Sequence, residues 1–123
     1  MPSIRTLRIL SVKALFVELP AFERHRSSYL DDDQFRHLQL ELLVNPERGD
    51  VISGTGGLRK MRFADKRRGK GKRGGLRIVY YWWRHGGQFW LFAIYGKDEM
   101  DDLSAGDKRL VKQMLEAELE ARR

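Results

Sequence analysis

The chain has no cysteine. That removes a disulfide framework, a Cys-based zinc site and a thiolate nucleophile together. It has only three histidines, His25, His37 and His85. None has a partner at metal-ligand spacing, and two fall on expected helices. Each reads as a surface or packing residue, with His85 in a hairpin turn the one to watch, so neutral-pH acid–base work is expected to rest elsewhere. No apolar run approaches the length needed to span a bilayer. The first fifteen residues lack the uncharged segment and small-residue cleavage site of a signal peptide. A cytoplasmic protein without membrane contact is the expectation. Acids are scarce in the middle: between Arg59 and Arg77, ten Lys or Arg stand against the single Asp65.

What is present is a one-domain length of 123 residues, with 41% hydrophobic and 11% aromatic residues, enough to bury a core. The formal charge of +7 and a pI near 10.0 favour a polyanionic partner. The charge is concentrated in one stretch, Gly54 to Lys97. It opens with Gly54-Thr55-Gly56-Gly57 and an alternating run, Leu58 to Phe63. A basic, glycine-dotted loop follows from Ala64 to Gly74, then two β-prone runs, Leu76 to Trp83 and Phe89 to Tyr95. On a strand Leu58, Lys60 and Arg62 share one face, while Arg59, Met61 and Phe63 share the other. Arg77, Val79 and Tyr81 share a face of the next strand.

Around this meander the elements fall into place. Met1 to Lys13 is expected to be a flexible extension, leaving 14–123 as a single domain without internal repeats. Ala14 to Glu18 reads as a strand. Pro20 suits the first turn of a helix reaching Tyr29. Asp31 and Gln34 have capping-box spacing for a second helix, with Phe35, Leu38 and Leu42 on its buried face and Asn45-Pro46 as its stop. A short extended piece is expected around Val51-Ile52. A last helix starts after Ser104, with Asp107 three residues on. Leu110, Val111, Met114, Leu115 and Leu119 form its expected stripe, opposite Glu116, Glu118 and Glu120. The order β-α-α-β-β-β-α gives an α+β domain, with two N-terminal helices and a C-terminal helix on a mainly antiparallel sheet.

Each chemical signal has a bland counterpart. The basic meander could be a solvated hairpin whose charge protects a sheet edge from aggregation. Against that, Lys60, Arg62 and Arg77 lie on strands, where orientation is fixed. Arg59 alternates to the other face and suits an acidic partner as well as RNA. Gly54-Thr55-Gly56-Gly57 precedes a strand and lacks the Gly-Lys-Ser/Thr of a P-loop, so an NTPase is rejected. Tyr95 is either core or an exposed platform for base stacking. The acidic run Asp98, Glu99, Asp101 and Asp102 is explained by the helix N-terminus that follows.

Phe16-Val17-Glu18, the two helices, Gly54 to Lys60, Lys70 to Tyr81 and Ile94-Tyr95-Gly96-Lys97 together resemble a HigB-type toxin of the RelE superfamily, from bacterial type II toxin–antitoxin systems. The resemblance covers roughly Leu15 to Leu119. It implies a RelE-like fold and a ribosome-dependent mRNA endonuclease (an mRNA interferase) that cuts codons in the ribosomal A site and inhibits translation. It implies no metal and no cofactor. The partners it implies are mRNA, the 70S ribosome and a HigA-like helix-turn-helix antitoxin, with operator DNA reached only through the antitoxin complex. By motif position Lys60, Arg62 and Arg77 match the family's cationic site. Lys60 is assigned as proton acceptor, Arg62 and Arg77 as holders of the phosphorane, and Lys97 or Tyr95 as the aid to the leaving group. Arg59, Lys66, Arg67, Arg68, Lys70, Lys72 and Arg73 are expected to contact RNA or the ribosome. The chain departs from the pattern at Asp98, where some relatives carry Arg, and near Ser104, where others carry Tyr. The rival expectation is a non-catalytic nucleic-acid-binding or antitoxin-binding regulatory module that uses the same basic sheet.

Overall fold

A computed structural model of the chain describes residues 3–9, 12–65, 69, 71, 75–100 and 102–122. The elements are strands β1 (Ser3–Ile9) and β2 (Val12–Glu18), helices α1 (Pro20–Tyr29) and α2 (Asp32–Val44), strands β3 (Asp50–Val51), β4 (Arg59–Phe63), β5 (Leu76–Trp83) and β6 (Gln88–Gly96), and helix α3 (Ala105–Ala121). The strands form one six-stranded sheet in the order β1-β2-β6-β5-β4-β3. Every neighbouring pair is antiparallel except β2 and β6. The α+β class and the mainly antiparallel sheet are as the sequence implies. The N-terminal segment is not. Instead of a flexible extension, residues 3–9 pair with β2 from Ser3↔Glu18 to Ile9↔Val12. Without that partner the outer edge of β2 would present a row of unpaired N–H and C=O groups.

The helices divide between the two faces. On one, Phe22, Phe35, Leu38 and Leu42 pack on Phe16, Met61, Phe63, Ile78, Tyr80 and Phe89. On the other, Leu115, with Val111, Met114 and Leu119, covers Val17, Leu58, Val79, Trp90 and Phe92. Both expected capping boxes form: Gln34 N–H donates to Asp31 at 2.8 Å and Asp107 N–H to Ser104 Oγ at 3.0 Å. Leu110, expected in the buried stripe of α3, is 57% exposed. It sits about 100° round the helix from Val111, and the contact with the sheet is centred on Leu115.

Face assignment on β6 depends on a bulge. Its register with β5 shifts between Val79 and Tyr80, where Val79 faces Ala93 but Tyr80 faces Leu91. The extra residue moves Trp90 and Phe92 onto the α3 face while Tyr95 stays there as well. A strict period of two would have sent one of these sets to the opposite face.

The turn leading into β4 explains the Gly-rich tetrapeptide. Gly54, Gly56 and Gly57 all have positive φ, a region that strains a side chain. The Thr55 hydroxyl donates to the Ile52 carbonyl at 2.6 Å, and Ile52 N–H donates to the Leu58 carbonyl at 2.8 Å. Just before β3, a Cβ on Gly49 would lie 2.9 Å from the Lys60 carbonyl carbon and oxygen and 3.0 Å from the Tyr80 ring. Gly49→Ala is therefore expected to cost about 1–3 kcal/mol through overpacking. Urea unfolding of the variant checks it, and an unchanged midpoint would mean that the loop shifts freely.

Candidate functional site

The chemistry-bearing side chains gather where β4 ends, β5 begins and β6 ends. Arg62 pairs with Arg77 across β4 and β5, and Arg77 pairs with Tyr95 across β5 and β6. Directly opposed residues on an antiparallel pair share a face, so these three form one row on the α3 side of the sheet. Lys60 stands two residues from Arg62 on that same face, opposite Val79. Like charges placed opposite each other destabilise a sheet. An Arg–Arg pair on rigid strands thus makes most sense where an anion is to be held between them.

Arg77 is only 4% exposed. Burial and the neighbouring Arg62 hold its guanidinium below the ordinary arginine value, yet an arginine so placed keeps its charge at neutral pH. Its Nη1 donates to the Leu76 carbonyl at 3.2 Å, which fixes the direction of the fork. Arg77, Arg62, Lys60 and Lys97 all line one cleft of about 750 Å³, joined by Arg48 and Lys108. Two carboxylates, Asp50 and Asp102, line it too.

The loop between β6 and α3 brings Lys97 and Asp102 to this cleft and is tied down at several points. Lys97 N–H donates to the Gly75 carbonyl at 2.9 Å. The Tyr29 hydroxyl reaches both oxygens of Glu99, at 2.6 and 2.8 Å, and Gly96 N–H donates to Glu99 Oε1 at 3.1 Å. Lys60 Nζ donates to Asp102 Oδ1 at 2.8 Å, and Leu103 N–H donates to that same oxygen, also at 2.8 Å. Those two hydrogen bonds hold the Asp102 carboxyl below its ordinary value.

The expected site residues separate into four groups. Lys60, Arg62, Arg77 and Lys97 converge on the cleft. Tyr95 lies beside them but is 6% exposed, so it is core rather than a base-stacking platform. Its buried hydroxyl has no hydrogen-bond partner among the described residues. Burial and the charge of Asp102 push its pKa up, Arg77 opposes them, and Asp107 adds to the rise.

Arg59 belongs to a different structure. Its Nη1 donates to the Gly49 carbonyl at 2.7 Å and to the Glu47 carbonyl at 3.3 Å. Beside it, Tyr80 donates to the Pro46 carbonyl at 2.8 Å and accepts from Gly49 N–H at 3.0 Å. Arg59 and Tyr80, opposed across β4 and β5, anchor the 46–49 turn, so Arg59, expected as an RNA contact, has a structural role on the face away from the cleft row. Lys66, Arg67, Arg68, Lys70, Lys72 and Arg73 lie outside the described residues.

Arg48, Lys108, Asp50 and Asp102 were not expected in the cleft. The signal for the first and third was the short extended piece now seen as β3, which pairs Asp50 with Lys60. Nothing local signals Lys108 or Asp102, which reach the cleft only because α3 crosses this face of the sheet. The histidines stay away: His25 and His37 are exposed on α1 and α2, and His85 is exposed in the turn after β5. That turn is roughly 20 Å along the strand from Arg77. Among the described residues no three His, Asp or Glu cluster as a metal-ligand set, and no helix is long and apolar enough to cross a membrane. Compared with models of known protein families, the chain matches none.

Proposed function

We propose that the protein is the toxin of a type II toxin–antitoxin module, a ribosome-dependent endoribonuclease that cleaves mRNA in the A site and stops translation in the cytoplasm. One observation carries the proposal: Lys60, Arg62, Arg77 and Lys97, from two strands and a loop, line a single cleft. The resemblance of the same segments to HigB-type toxins supports it. RNA brings its own nucleophile, the 2′-hydroxyl, so an enzyme has only to move protons and stabilise charge on phosphorus. The Arg62–Arg77 pair suits the equatorial oxygens of a phosphorane, with Arg77 able to bind bidentately. Lys60 adds a third charge. Lys97, at the mouth of the β6–α3 loop, suits protonation of the departing 5′-oxygen. A HigA-like antitoxin and operator DNA reached through it complete the proposed partners.

A second reading has its own support. No histidine lines the cleft, and the Lys60 ammonium is occupied as a donor, as a non-catalytic polyanion-binding module would allow. Primer extension on a defined mRNA in a purified translation reaction separates the two. Cuts inside A-site codons that require ribosomes are expected. Intact mRNA in the presence of folded protein and ribosomes would overturn the nuclease and leave the binding module.

A further inference from the structure

The assignment of Lys60 as proton acceptor does not suit the geometry of the cleft. A base presents a lone pair, whereas Lys60 Nζ is committed as a donor to Asp102 Oδ1 at 2.8 Å. We infer that Asp102 is the proton acceptor of the cleavage step, its free oxygen Oδ2 taking the proton of the RNA 2′-hydroxyl. This rests on the nuclease reading above.

Three observations select this residue. First, among the described residues two carboxylates line the cleft, and Asp50 receives no hydrogen bond from any of them. Asp102 is fixed: Oδ1 takes both the Lys60 ammonium and the Leu103 N–H. Oδ2 accepts no hydrogen bond among the described residues, which leaves its lone pairs available on a residue that lines the cleft. Second, the Asp102 carboxylate is bonded at 2.8 Å to the ammonium of Lys60, which stands two residues from Arg62 on the same strand face. Asp102 also lines the same cleft as Arg62 and Arg77. The carboxylate therefore sits beside the phosphate-holding row. Third, a groove built only to bind a polyanion gains nothing from a carboxylate immobilised among its cations, since like charge repels the phosphates. A groove built to cleave RNA needs one group that accepts a proton, and neither arginine nor an ammonium does so.

The step balances without a further reactant. Asp102 Oδ2 removes the proton as the 2′-oxygen forms its bond to phosphorus. Arg62, Arg77 and Lys60 take up the charge on the phosphorane oxygens. The bond from phosphorus to the 5′-oxygen breaks, and that oxygen takes a proton from the Lys97 ammonium. The products are a 2′,3′-cyclic phosphate and a 5′-hydroxyl. Asp102 then returns its proton to water and Lys97 regains one.

Asp102→Asn and Asp102→Ala separate a base from a brace. Asparagine keeps an Oδ1 that accepts from Lys60 and Leu103, but it cannot take a proton; alanine removes both functions. In single-turnover cleavage on programmed ribosomes, both variants are expected to lose at least about a hundredfold in rate. Ribosome binding should be retained and thermal unfolding near that of the wild type. Asp102→Glu, which keeps a carboxylate, should recover a measurable part of the rate. Near-wild-type cleavage by Asp102→Asn beside an impaired Asp102→Ala would make Asp102 a brace for Lys60 and overturn the inference alone. A wild type that cuts nothing overturns the nuclease reading and this role with it.

Discussion

Alanine at both Lys60 and Arg77 is expected to lower the single-turnover cleavage rate by about 10³–10⁴-fold while leaving ribosome docking largely intact. Removing one donor aimed at a developing oxyanion typically costs about 10²–10³-fold. Two donors serving one phosphorane act as a unit, so their losses fall short of multiplying. Docking behaves differently. If the pair contacts two phosphates, the slope of log affinity against log salt should shrink by roughly two. Measuring cleavage and salt-dependent binding on the same variant separates the two proposed functions, because a pure binding module shows only the second effect. Two structural side effects need a folding control. Alanine at position 77 relieves the repulsion with Arg62 but empties a site that is 4% exposed beside the Tyr95 hydroxyl. Alanine at position 60 frees the Asp102 carboxylate from its 2.8 Å bond. A variant that folds, docks and still cuts at more than about a tenth of the wild-type rate would contradict the assignment of these residues to the phosphate.

Legibility from sequence followed the range of the interactions involved. The capping boxes of α2 and α3 are three-residue signals, and both form. The split of β4 into a Lys60/Arg62 face and an Arg59/Met61 face follows from a period of two, and the two buried clusters respect it. The pairing of Arg62 with Arg77 needed the register as well. What failed needed the third dimension. The strand β1 exists because β2 has a free edge, not because residues 3–9 declare themselves. The bulge near Phe92 changes which aromatics lie under α3 without any glycine to mark it. Asp102 looked like one acid among several preceding a helix. Only the crossing of that loop over β4 makes it a partner of Lys60, 42 residues away. Arg59 shows the reverse case: its composition matched the basic site, but its face gave it to the Gly49 turn.

The largest expected stability effect lies away from the cleft, at Glu18. Its side chain is fully buried at the end of β2, where Oε1 accepts from Arg26 Nε at 2.7 Å. The Arg26 guanidinium also lies over the Phe35 ring, 4.3 Å from its centre. One arginine thereby joins β2, α1 and α2. Helix α1 depends on this more than most helices would. Its N-cap, Leu19, makes no side-chain capping bond, and Phe22 is the one fully buried residue within it. Glu18→Ala should cost about 3–5 kcal/mol, because it strands a mostly buried guanidinium while also opening a void. Set against a typical total of about 5–15 kcal/mol, that leaves a marginal protein, readable as a large fall in the urea midpoint. Replacing both members, as Glu18→Leu with Arg26→Met, should recover much of the loss, since an apolar pair needs no countercharge. A single-variant cost below about 1 kcal/mol would show that Arg26 turns instead to Asp32, already 3.8 Å from its Nη1. Helix α1 would then be held to the sheet by Phe22 and its neighbours alone.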